Sequence, residues 1–200
     1  AATVINPTAW ANAGFTKNDL VGVAAWSTSP LLVLANPKVP VNNLKELAEY
    51  TKANPGKLTY ASGGIGIITH VEMELINQRQ ELGLLSIPFP GQAPAVTAVA
   101  GGHVDLITDS MASGLPFVKD GRLRALAVTS KKRLDAAPDI ATVAEQGYPD
   151  LANSAWYGLV APAGTPEPIL KTLSDAVGKV LARPQTAKQL AGVGADPFAL

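Results

Sequence analysis

The segment Lys57-Leu58-Thr59-Tyr60-Ala61-Ser62-Gly63-Gly64-Ile65-Gly66-Ile67-Ile68-Thr69-His70 reads as a strand, a glycine-rich turn and the first turn of a helix. A unit of this kind belongs to an α/β protein built from βαβ repeats. A helix start leaves several backbone N–H groups without intrahelical partners and carries the positive end of the helix dipole. Glycine before such a start lets the backbone approach a ligand with no Cβ in the way. Together these features make an anion site. Each N–H donated to a carboxylate contributes about 1.5–3 kcal/mol net, so three or four of them approach the roughly 8 kcal/mol of a micromolar complex. The same spacing also describes a turn that only joins two elements.

Outward from this unit the alternation continues. Leu20-Trp26, Leu31-Asn36, Leu84-Pro88, Val104-Thr108, Leu123-Thr129 and Ala155-Ala161 read as further strands. Helical spacing covers Asn43-Asn54, with Leu44, Leu47, Ala48 and Thr51 on one face and Asn42 or Asn43 as cap. It also covers Ile67 to Leu82, with Ile68, Val71, Leu75 and Leu82 inward and Gly83 as the stop, and Ala93 to Ala100. Thr165-Pro166 supplies a cap and a first-turn proline for a helix striped by Ile169, Leu173, Ala176, Val177 and Val180, which ends at Arg183-Pro184. Asn6-Asn18, Pro37-Asn42 and Ser130-Ile140 read as loops. The strands Leu31-Asn36 and Ala155-Ala161 bracket the βα-rich middle and read as two crossings of a hinge.

Two more turns share the character of the first. Leu84-Pro88 leads into Phe89-Pro90-Gly91-Gln92-Ala93-Pro94, and Val104-Thr108 ends at Asp109-Ser110. In open α/β sheets ligands collect beyond the carboxyl ends of the strands. Asp109 reads either as an acceptor for a ligand hydroxyl, amine or bridging water, or as the N-cap of the next helix.

Several chemistries fail against their templates. A P-loop needs Gly-Lys-Ser/Thr where Gly66 is followed by Ile67-Ile68. A dinucleotide fingerprint would need a third glycine where Thr69 stands. His70 and His103 form no helix-borne zinc pair, and without cysteine there is no thiolate nucleophile, disulfide or Cys-based zinc site. No metal or cofactor is expected. Glu72 and Glu74 are two apart on a helix, point to different sides and read as solvated, and Gly-x-Ser-x-Gly is absent. Trp26 and Trp156-Tyr157 read as packing residues rather than a stacking platform.

Among 200 residues, 47% are hydrophobic, and Lys plus Arg equal Asp plus Glu at 16 each. That composition is globular and offers no field of one sign to draw nucleic acid or an anionic membrane surface. No run approaches the roughly 18 apolar residues of a membrane span, and no secretory leader pattern opens the sequence. The basic run Lys131-Lys132-Arg133 reads as a solvated loop. Any anion preference is therefore local to the turns.

With the turns in view, the sequence resembles the tripartite tricarboxylate transporter receptors, or Bug proteins, a family of periplasmic carboxylate-binding proteins. The resemblance runs through Ala1-Pro7, Asn54-Pro55-Gly56-Lys57-Leu58-Thr59-Tyr60-Ala61-Ser62 with Gly64, Gly66 and His70, and Gly91-Gln92-Ala93-Pro94-Ala95. It continues in Gly101-Leu106, Gly121-Ser130, Pro138-Glu145, Trp156-Leu159 and Ala161-Pro166. It implies a two-lobed periplasmic-binding-protein fold, each lobe a sheet flanked by helices, with residues 1–35 in the first lobe, 36–154 in the second, and 155–200 as the hinge return and remainder of the first. The first lobe would be incomplete, since family members carry further elements ahead of Ala1 and beyond Leu200. It also implies a ligand carboxylate held, largely by backbone amides, at the turns matching Ser62, Gly63, Gly64, Gly66, Ile67, Ile68 and Thr69, and Gly91, Gln92 and Ala93. Phe89 and Asp109 join the candidate ligand set.

The chain departs from the family pattern at Ile65, Ile67 and Ile68, where hydroxyl or amide side chains are usual, and at Phe89-Pro90, where Tyr-Lys is common. The expectation is therefore a periplasmic receptor, not an enzyme, that closes on a small aromatic or apolar-bodied carboxylate and passes it to a membrane permease, with no nucleic-acid partner and no membrane insertion of its own. A hydrolase or isomerase working in the same crevice, or a ligand sensor, is the alternative.

Overall fold

The computed structural model describes residues 14–198. The Ala1-Pro7 motif and the first part of the Asn6-Asn18 stretch lie outside them. In chain order the described elements are β1 (Leu20–Ser29), β2 (Leu31–Ala35), α1 (Leu44–Ala53), β3 (Thr59–Ser62), α2 (Ile68–Arg79), β4 (Leu85–Pro88), α3 (Gln92–Ala100), β5 (Leu106–Ser110), α4 (Met111–Lys119), β6 (Arg124–Val128), β7 (Ala155–Pro162), α5 (Glu167–Leu181), α6 (Pro184–Gly192) and β8 (Asp196–Pro197). Pro30–Ser154 is one compact unit; the chain up to Ser29 and from Ala155 onward is the other.

The larger unit is a five-stranded sheet in the order β4-β3-β5-β2-β6. β3 runs parallel to both β4 and β5, whereas β2 is antiparallel to β5 and β6. Both faces are covered, which explains the unbroken apolar run Leu31-Leu32-Val33-Leu34-Ala35, all buried. Alternate residues serve opposite cores: Val33 and Ala35 join Leu44, Leu47, Met73 and Ile76 of α1 and α2, while Leu32 and Leu34 join Val96 and Val99 of α3 and Met111 of α4. Asp105 fixes the register at the far end by accepting from the Thr59 N–H and hydroxyl at 2.8 and 2.9 Å. β2 is hydrogen-bonded between β5 and β6, within the unit Pro30–Ser154.

The smaller unit is a three-stranded antiparallel sheet, β7-β1-β8, with α5 lying against β1. The α5 stripe is present but uncovered, Ile169 being 51% exposed and Val180 44%. Pro166 rather than Thr165 stands at the α5 cap; the Thr165 hydroxyl donates to the Pro162 carbonyl instead. Pro184, read as the end of one helix, is also the first residue of the next, α6.

Two readings of α2 change. The helix stops at Arg79, and its buried positions are Thr69, Glu72, Met73 and Ile76, not Ile68, Val71 and Leu75, which are half-buried on the neighbouring flank. The reason is polar. Glu72 is 2% exposed, and its Oε2 accepts from Asn153 Nδ2 at 2.5 Å. Glu74 is no solvated carboxylate either, since it accepts the hydroxyl of buried Tyr60. Asn153 is in turn paired, backbone to backbone and backbone to hydroxyl, with Thr129, which makes the matching pair of bonds to Leu31. Both ends of the unit are thereby tied to one threonine.

Burial pushes the Glu72 carboxyl up, against the Asn153 hydrogen bond that favours the charged form, and Oε1 has no partner. A carboxyl raised on folding holds its proton longer in the native state, so its stabilising contribution is complete below the unfolded value of about 4.3 and is lost as pH rises through the folded value. Glu72→Gln, neutral throughout, is expected to flatten that decline. Thermal unfolding of both proteins from about pH 4 to pH 8 should show the variant gaining on wild type as pH rises; a constant difference would remove Glu72 as the cause.

Candidate functional site

The three parallel strands β4, β3 and β5 end at one edge of the sheet, and each runs straight into a helix there. The three helix starts are not alike. At α4 the Ser110 hydroxyl accepts from the Ser113 N–H at 3.3 Å, so that start is capped by its own side chain. At α2 and α3 the cap positions are Ile67 and Gly91, and neither start receives a side-chain cap. In α3, Pro94 has no N–H, which leaves the amides of Gln92 and Ala93 as the forward-facing donors of the first turn. The open pair lies on adjacent strands, β3 and β4.

The backbone brings these two starts together. Gly64 and Gly66 have φ of 139° and 83°, a region that disfavours any side chain. Ser62 is buried at the end of β3, its Oγ accepting from the Gly64 N–H at 3.4 Å and its carbonyl from the Phe89 N–H at 2.8 Å. The Gly66 N–H points to His70 Nδ1 at 3.4 Å, so this imidazole nitrogen acts as an acceptor within the turn. A Cβ placed on Gly63 would lie 2.6 Å from the Gln92 backbone nitrogen. The first turn and the start of α3 are in contact at that point.

Beneath them runs a polar network. Gln92 Oε1 accepts from the Thr69 hydroxyl at 3.0 Å, and Gln92 Nε2 donates to the Thr108 carbonyl at 2.8 Å and to Asp109 Oδ1 at 3.1 Å. The Thr108 hydroxyl donates to the Thr69 carbonyl. Asp109 is 1% exposed, and Oδ1 also accepts from the Ser110 N–H at 2.8 Å. It is therefore neither an open ligand acceptor nor the cap of α4, a role Ser110 takes. Burial raises the Asp109 carboxyl; the Ser113 side chain, the Ser110 N–H and Gln92 favour the charged form, yet Oδ2 completes no hydrogen bond.

The candidate residues thus separate into two layers. Gly63, Gly64, Gly66, Ile67, Ile68, Gly91 and Ala93 form the turns and helix starts, with Ile65 standing 61% exposed beside them and Phe89 packed on the core under α3. Ser62, Thr69, Gln92 and Asp109 lie below, engaged with one another or with the backbone. Thr108 and Ser110 were not among the candidates; a serine directly before Met111 is a legible cap, whereas nothing in the sequence marks Thr108. Among the described residues no group of three or more His, Asp or Glu could hold a metal, and no helix is long and apolar enough to cross a membrane.

A groove of about 820 Å³ lies elsewhere on the larger unit, beside β6. None of the candidate residues lines it; of its charged groups, Arg124 donates to the Val39 and Val41 carbonyls, and Glu145 accepts from Arg133 and the Thr142 N–H.

Gly63 gives the site its test. Gly63→Ala must push the first turn off α3, an overpacking that costs about 1–3 kcal/mol. Urea unfolding of wild type and variant measures it, and an unchanged midpoint would mean that the turns are not in contact.

The family model described as the tripartite tricarboxylate transporter family receptor matches residues 1–200. A UPF0065 protein of Bordetella pertussis is 34% identical over 194 residues, which are 97% of this chain and 60% of that protein. The structure of Rpa4515 of R. palustris, solved with adipate, superposes with a TM-score of 0.91 at 27% identity, covering 98% of this chain and 66% of the other. That of MatC from Rhodopseudomonas palustris, with bound malate, gives 0.87 at 29% identity, covering 96% and 66%. The chain therefore spans about two thirds or less of the length of these relatives.

Proposed function

Because the chain belongs to the tripartite tricarboxylate transporter receptor family, we propose that it captures a small carboxylate in the periplasm, at the paired starts of α2 and α3, for delivery to a membrane permease. The observation that carries this reading is the pair of uncapped helix N-termini on adjacent parallel strands, held against each other at Gly63 and Gln92. Helix starts of this kind favour an anion, and among the described residues no side chain caps either of them. The carboxylates seen with Rpa4515 and MatC are of the class such donors hold.

The body of the ligand is a finer question, and the side chains at the turns bear on it. Ile65 is exposed, Ile67 and Ile68 are half-exposed, and no Lys or Arg occurs from Ser62 to Thr69 or from Phe89 to Ala93. Apolar walls around neutral donors suit an acid with an aromatic or otherwise apolar body better than one crowded with charge. An enzyme at this edge would need a nucleophile with a base in reach. The Ser62 hydroxyl is buried and turned to the Gly64 N–H, while His70 accepts from Gly66; neither pairs with the other, and a receptor accounts for the geometry better.

Thermal-shift measurements on the full-length protein against adipate, malate, citrate, benzoate and phenylacetate test both levels. Saturation at about 100 times the Kd should stabilise by about 2.7 kcal/mol, a shift of several degrees. Adipate, benzoate or phenylacetate is expected to exceed citrate. Stabilisation by citrate alone would sink the apolar-body reading, and stabilisation by none of the five would sink the carboxylate reading.

A further inference from the structure

We propose that Gln92 is a positioning residue: its side-chain amide locks the starts of α2 and α3 into a single carboxylate-binding register, so that it governs affinity without touching the ligand through its side chain. This rests on the carboxylate reading above and assigns the part of the site that sets its strength.

Gln92 is the first residue of α3, so its own N–H is one of the donors at the open helix start. Its side chain turns back under the site. The carbonyl oxygen accepts from the Thr69 hydroxyl, and the amide nitrogen uses its two protons on the Thr108 carbonyl and Asp109 Oδ1. One amide thereby joins the first turn of α2, the end of β5 and, through Asp109, the Ser110 N–H that opens α4. Binding a ligand with this side chain would mean giving up buried hydrogen bonds, each of which leaves an unmet partner behind.

The residue type is demanding. Both a donor and an acceptor are needed at the end of the side chain, one for Asp109 and Thr108 and the other for Thr69. Methionine matches the length and supplies neither. Gly63 packs directly against this amide, since a methyl group there would lie 2.6 Å from Gln92 Oε1 and from its backbone nitrogen, so only a residue without a side chain fits beside it. Helix starts held by this network keep their N–H groups aimed at one point. Without it, each helix can relax separately and the donors no longer converge.

Three roles predict different binding data. A positioning residue acts on the carboxylate end, so Gln92→Met should weaken every carboxylate by a similar factor, about tenfold or more for the loss of a charge-linked buried network. A side chain that touches the ligand body would weaken acids unequally. A residue that matters only for folding would lower the melting temperature and leave affinity intact. Calorimetric Kd values for Gln92→Met, Thr69→Val and the double variant in the full-length protein, with two panel acids of different body that wild type binds, separate these cases. Equal losses for the two acids, and a double variant little worse than either single, support the proposal. Wild-type affinity in Gln92→Met, or a loss confined to one acid, overturns it. If Gln92→Met does not fold, Thr69→Val carries the same reading, since it removes the link to α2 alone. A wild type that binds no acid of the panel overturns the carboxylate reading and this proposal with it.

Discussion

A helix cannot serve its own first N–H groups, and the larger unit meets that constraint in two ways. Side chains close α1 and α4: Asn43 accepts from the Glu46 N–H while Glu46 accepts from the Asn42 N–H, and Ser110 accepts from Ser113. At α2 and α3 the cap positions hold isoleucine and glycine, which have nothing to offer. Relative to a capped start, an apolar cap such as Ile67 costs about 1 kcal/mol, and a glycine such as Gly91 a few tenths. Two adjacent starts left open at the one edge, while the neighbours are closed, is a local sacrifice of stability of the sort found where a ligand completes the structure.

Holding the open starts in place requires a rigid support beneath, and the sheet supplies it. β3 is the central parallel strand, with Tyr60 and Ala61 buried on opposite faces, and its neighbours β4 and β5 fix the origins of the other turns. The polar layer of Thr69, Gln92, Thr108 and Asp109 then joins helices that pack on different faces of the sheet, since α2 shares its core with α1 and α3 shares its core with α4. Packing alone would leave these helices free to slide independently. Directional hydrogen bonds in a buried setting remove that freedom.

Much of this was legible in the residues. The seven longer strands were marked by short apolar or β-branched runs, and the Asn43 cap and the Asn54-Pro55-Gly56 stop by their chemistry. The glycines at 63, 64, 66 and 91 located the turns. What stayed hidden depended on tertiary partners. Asn153 lies 81 positions from Glu72, so no local pattern could show that a helix glutamate was buried. The face of α2 was misplaced for the same reason, because Ile68, Val71 and Leu75 outscore Thr69 and Glu72 in hydrophobicity but not in burial. Gln92 is legible as a candidate but not in its contacts: a glutamine at a helix start offers an amide to a ligand and to its neighbours alike, and its bonds to Thr69, Thr108 and Asp109 depend on where the fold places them.

The absence of a cation in the turns shapes what such a site can do. Burying an ion pair exacts a desolvation cost on both members and leaves a strongly unpaired charge when the ligand goes. Neutral backbone donors avoid that second cost, because the empty helix start returns to water with no formal charge to solvate. Nor does the balanced composition of 16 acidic and 16 basic residues add a long-range field of one sign. Selectivity then passes to what surrounds the carboxylate. In this chain the surroundings at the turns are Ile65, Ile67, Ile68 and Phe89, with Asp109 shielded below by the Gln92 amide, whose positive end faces that carboxyl. The Asp109 carboxyl is thereby kept below the turns, with the Gln92 amide set against it rather than open at the edge.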